Sequence, residues 1–127
     1  MDKQILYLTY DGLTDPLGQS QILPYVYGLN KTQKLKFTII SFEKKQNSHL
    51  KKSIRRELIK NNVDWISLNY SKNPPVLSTL FDIYKLKKAV KKAILNSTID
   101  LIHCRSYITS LIGLNFKKSH NIPFIFD

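Results

Sequence analysis

The chain has 127 residues, one domain's length, and its 43% hydrophobic and 23% charged residues with four glycines and five prolines exclude disordered and fibrous classes. Its 20 Lys and Arg against nine Asp and Glu leave a net charge of +11, which favours an anionic partner through long-range attraction. Uninterrupted apolar stretches run to only a few residues, far short of the roughly 20 that span a bilayer, and the single cysteine, Cys104, excludes an internal disulfide.

In chain order, Gln4–Thr9 is a nearly continuous β-prone apolar run, the pattern of a strand buried on both faces of a parallel sheet. Tyr10–Gln19 concentrates turn formers and reads as a long loop. Ser20 caps a helix over Gln21–Asn30, with Pro24 in its first turn. Leu35–Phe42 is a second strand. Ser48–Asn61 is an amphipathic helix with Leu50, Ile54, Leu58 and Ile59 inward and Lys51, Lys52, Arg55 and Arg56 outward. Val63–Leu68 makes a third strand, and Asn69–Pro75 a polar connection. In the longest helix, Val76–Asn96, Leu80, Ile83, Tyr84, Leu86, Val90, Ala93 and Ile94 recur at helical spacing between lysines. A strand over Ile99–Cys104, a helix over Tyr107–Lys118 and a strand from Pro123 to Phe126 complete the alternation. The class is α/β, a doubly wound, mainly parallel Rossmann-like sheet with right-handed crossovers.

In such sheets ligands bind beyond the carboxyl ends of the strands. That places the loop after the first strand, the residues after the fourth and Asp127 as candidates. Gly12 and Gly18 do not form the GxGxxG of dinucleotide binding. A phosphate loop of Walker type also fails, because the glycines stand one residue too far apart and Gln19 occupies the lysine's place. A helix N-terminus at Ser20–Ile22 behind Gly18 remains able to bind an anion through free amides, with a plain turn and cap as the other reading. Cys104 beside His103 is too little for a zinc site.

The segment Asp11-Gly12-Leu13-Thr14-Asp15-Pro16-Leu17-Gly18-Gln19-Ser20-Gln21 resembles the opening of group 1 glycosyltransferases, enzymes of GT-B fold. Asp100-Leu101-Ile102-His103-Cys104-Arg105-Ser106 and Ile122-Pro123-Phe124-Ile125-Phe126-Asp127 are similar to that family's fourth and fifth strands, so the resemblance spans the chain. It implies transfer of a sugar from a nucleotide sugar to a saccharide or lipid-linked acceptor, with no cofactor and no metal. The chain is then a single N-terminal, acceptor-side domain, incomplete at its C-terminus and inactive without the nucleotide-sugar domain. Gly18, with Gln19 and Ser20, would lie against the donor diphosphate. Asp11 and Asp15 would meet hydroxyls, His103 would bind acceptor, and Arg105 would hold a phosphate. Asp127 would stand at the edge of the catalytic loop. Taken without the resemblance, His103 and Arg105 also read as a packed histidine and a solvated arginine.

Charge is uneven: residues 1–30 carry one Lys against three Asp, and residues 31–127 carry 19 basic against six acidic side chains. The lysine-rich helices read either as solvated surface or as a patch for an anionic membrane, which would place the protein in the cytoplasm, peripheral on the inner face. The absence of a signal-peptide pattern at Met1-Asp2-Lys3-Gln4 fits that compartment. The competing class is a non-enzymatic basic module binding anionic membrane or nucleic acid. Nucleic acid is disfavoured, because the aromatics lie in core runs and are not interleaved with the basic clusters.

Overall fold

The computed structural model describes residues 2–71 and 73–127. Five strands, β1 (Lys3–Thr9), β2 (Leu35–Glu43), β3 (Asp64–Asn69), β4 (Leu101–Arg105) and β5 (Phe124–Phe126), form one sheet in the order β3-β2-β1-β4-β5, with every pairing parallel. The expected α/β class holds. β1 is central, and its Ile5–Thr9 run is buried throughout because both faces are covered.

Alternation along the strands builds two cores. Ile5, Tyr7, Phe37, Ile39 and Trp65 point to one face, where α1 (Leu23–Thr32) and α2 (Ser48–Lys60) supply Val26, Ile54 and Leu58. Leu6, Leu8, Ile40, Phe42, Ile102 and Cys104 point to the other, under α3 (Pro75–Asn96) and α4 (Tyr107–His120). Burial of Cys104 raises its thiol pKa to about 12, so it is packed and inert.

Three expectations are corrected. The first helix does not start behind Ser20: helical backbone begins at Pro16, passes through a π turn over Gly18–Ile22 and continues as α1. Asp15-Pro16 is the true start, with the Gln19 amide donating to the Asp15 carbonyl at 3.1 Å. Pro24 therefore sits inside the helical run. A proline there lacks its amide and its ring crowds the carbonyl four residues back; the wide turn, in which the Leu23 amide reaches back to Gly18, relieves both.

On α2, Ile59 is exposed rather than inward, because Leu50, Ile54 and Leu58 already fill the stripe facing the sheet. On α3, Leu80 and Tyr84 are more than half exposed, while Ser78, Asp82, Leu86 and Val90 turn to the sheet. The acidic member of the buried stripe meets two loops: Asp82 accepts from Tyr10 Oη, after β1, at 2.6 Å and from the Ser71 amide, after β3, at 3.3 Å.

Candidate functional site

At the carboxyl end of the sheet the β1–α1 loop is fastened by two carboxylates. Glu43, at the end of β2, is buried and accepts from the amides of Leu13 (2.8 Å) and Thr14 (3.1 Å), from Thr14 Oγ1 (2.7 Å) and from Ser41 Oγ. Trp65 Nε1 donates in turn to Ser41 Oγ at 2.8 Å. Asp15 accepts from the Gly12 amide (2.9 Å), Lys44 Nζ (3.0 Å) and Asn47 Nδ2 (2.9 Å). Only 8% exposed and with both oxygens engaged, Asp15 serves the loop itself and has little left for a ligand hydroxyl. Gly18 is buried against the loop backbone, where a Cβ would stand 2.1 Å from the Gly12 carbonyl oxygen.

Beside this loop, β1 and β4 bring a second group together. Tyr7 pairs with His103 and Thr9 with Arg105 in the sheet register, so His103 and Arg105 share the face of Tyr7. The His103 ring lies 4.5 Å from that of Tyr7 and 5.6 Å, edge to face, from that of Tyr25. His103 Nε2 stands 3.4 Å from Asp127 Oδ2. The Arg105 guanidinium donates to Gln21 Oε1 at 2.6 Å and lies 3.6 Å from Asp11 and 3.9 Å from Asp127 carboxylate oxygens. Arg105 thus sits among Asp11, Gln21 and Asp127, preorganised as a planar donor at the sheet edge. Ser106, which follows, has φ of 98°, a conformation uncommon for a residue with a side chain, and turns the chain into α4.

Burial governs ionisation here. It raises the Tyr7 pKa to about 12 against the opposing pull of Arg105, so Tyr7 stays a neutral hydroxyl. Burial also lowers the His103 pKa from 6.5, outweighing the hydrogen bond and charge of Asp127. Because the folded value lies below the unfolded one, the unfolded chain holds more protons between them. His103 then contributes stability that is complete above pH 6.5 and is lost as pH falls through the folded pKa. The His103 imidazole is expected to titrate, by NMR, with a midpoint below 6.5; a midpoint above it would mean that Asp127 outweighs desolvation.

Of the residues singled out in the sequence, Asp11, His103, Arg105 and Asp127 converge. Asp15 and Gly18 are absorbed into the loop's packing. Gln19 donates from Nε2 to the Thr14 carbonyl at 2.9 Å, and Ser20 is exposed inside the π turn rather than capping a helix. Tyr7, Tyr25, Gln21 and Glu43 were not legible as site residues. Tyr7 sits in a run that reads as core, and Glu43 meets the loop only through β2–β1 pairing. An open cavity of about 470 Å³, lined by Glu43, Lys44, Lys45, Ser48, Lys51, Asn69 and Tyr70, borders the fastening of the loop through Glu43 and Lys44 but includes none of Tyr7, Asp11, His103, Arg105 and Asp127.

No family model matches the chain, and no curated protein matches it. Among solved structures it is similar over its full length to the C-terminal domain of a hydrogenase from Pyrococcus furiosus, with 16% identity, 94% of that chain covered and a TM-score of 0.68. It is also similar to a UGT transferase from Siraitia grosvenorii solved with UDP, at 14% identity and a TM-score of 0.57, over 98% of this chain and 23% of that one. MurG from Acinetobacter baumannii matches at 11% identity and a TM-score of 0.55, over 98% of this chain and 34% of that one. At such identities the likeness is one of fold: a Rossmann-like α/β architecture that occurs in glycosyltransferase domains and in a hydrogenase domain alike.

Proposed function

We propose that the chain is the acceptor-side N-terminal domain of a GT-B glycosyltransferase of group 1 type, which moves a sugar from a nucleotide sugar to a saccharide or lipid-linked acceptor. The observation that carries this reading is the convergence of neutral His103, Tyr7, Arg105, Asp11 and Asp127 where β1 and β4 end. Hydroxyl recognition suits the neutral imidazole and the carboxylates, and a phosphate suits the guanidinium fork. The fit of the whole chain to parts of a UGT transferase and of MurG supports a larger enzyme in which this domain forms one wall of the cleft. Chemistry would need the second wall, so no turnover is expected of this chain alone.

The test is amide and imidazole shift mapping on the labelled chain, titrated with saccharide acceptor analogues and with nucleoside diphosphates. The expected result is weak binding, with perturbations grouped on Gly12, Gln21, His103 and Arg105 and reduced at least about tenfold in affinity by Arg105→Ala. Shifts confined to the cavity beside Lys45, or none with any saccharide or diphosphate, would sink the reading.

A further inference from the structure

The outward face of α3 changes character along its length. Val76, Leu77, Leu80, Phe81 and Tyr84, all on its first half, are each more than half exposed. The exposed positions of the next two turns are lysines, Lys87, Lys88, Lys91 and Lys92, before the helix ends on exposed Leu95 and Asn96. Lys85 does not belong to this face, since it folds back to lie 3.1 Å from Asp82. Five large apolar side chains over about 12 Å of helix are more than isolated surface residues, and they run directly into four positive charges.

From this face we infer that α3 docks the protein on an anionic lipid bilayer, its first half at the headgroup–acyl boundary and its lysines on lipid phosphates. Charge complementarity selects that occupant. A second copy laid parallel along the face would set lysines against lysines, and one laid antiparallel over the apolar half would cover that half but leave the lysines of both copies without a counter-charge. An anionic bilayer surface satisfies both halves at once, as it does for interfacial helices. No described helix is long and apolar enough to cross a membrane. α3 connects two parallel strands and so begins at their carboxyl end. Its apolar half therefore lies at the same end of the sheet as the His103 group, and docking would bring that end to the bilayer. The inference is independent of the transferase reading, and its test involves no catalysis.

The test is flotation of the chain with vesicles of phosphatidylcholine alone and with about a third phosphatidylglycerol. The expected result is binding to the anionic vesicles only, weakened by salt. Leu80→Ser with Phe81→Ser, and separately Lys88→Glu with Lys92→Glu, are each expected to lower affinity at least about tenfold. Lys52→Glu with Arg56→Glu makes the same change of charge on α2, on the opposite face of the sheet, and is expected to keep most of the binding. All these positions are exposed, so unfolding is not expected, and a thermal melt of each variant checks it. Equal binding to neutral vesicles overturns the inference. So does a wild-type affinity in the Leu80/Phe81 variant, an equal loss in the α2 variant, or a dimer in sedimentation that the Leu80/Phe81 change dissociates.

Discussion

Glu43→Ala is expected to destabilise the domain by about 3–5 kcal/mol, and Glu43→Gln by about 2–3 kcal/mol, in urea unfolding. The carboxylate receives two amides and two hydroxyls, and every group that touches it is a donor. Alanine strands those donors in a buried place. Glutamine keeps the volume but offers two hydrogens of its own where only acceptors fit. The effect should extend beyond the immediate contacts, because the same network reaches Trp65 through Ser41. A loss below about 1 kcal/mol for both variants would show that the loop is held by Asp15 and packing alone.

Gly18→Ala is expected to cost about 3 kcal/mol, which for a domain of this size lowers Tm by roughly 10 °C. The added methyl would stand 2.1 Å from the Gly12 oxygen and 2.7 Å from Leu13 Cα. Both neighbours are backbone, and both belong to the segment that Glu43 and Asp15 pin, so neither can step aside cheaply. Gly28→Ala is the internal control: nothing lies within 4 Å of its Cβ position on α1, and alanine there should stabilise by up to about 1 kcal/mol. If Gly18→Ala melts with the parent protein, the helix has room to slide along the loop and the close approach is not required.

Burial of β1 on both faces was legible from Ile5–Leu8, because parallel strands with helices on either side need continuous apolar runs. That β1 takes β2 on one side and β4 on the other was not legible, because right-handed crossovers leave the strand order open, and with it went the meeting of Arg105 with Asp11. The start of the first helix was not legible, although Asp15-Pro16 is a common opening. Pro24 competes as a boundary, and only a π turn reconciles the two prolines.

On α3, apolar residues occur on two sides of the helix, so spacing alone cannot tell the face toward the sheet from the face toward solvent. Ser78 and Asp82 decide it, through a hydrogen-bonded reception for Asp82 that lies in another loop. Glu43 escaped for the same reason: its partners Leu13 and Thr14 are 30 and 29 positions away, and nothing local marks it.

The central position of β1 also sets a timetable for synthesis. Its β2 flank emerges within a few dozen residues, whereas its other flank waits for β4; the Gln4 amide finally bonds to the Asp100 side chain 96 positions later. At about 5–20 residues per second, the stretch between the end of β2 and the start of β4 occupies a ribosome for roughly 3–12 s. During that interval the nascent chain can close a three-stranded half-sheet with β1 as a bare edge of unpaired amides and carbonyls. Folding is then gated by a single late pairing, and a polysome would hold many such edges side by side. Conditions that stall translation between Asn69 and Ile99 should therefore raise misassembly more than the same stall placed after the whole domain has been made.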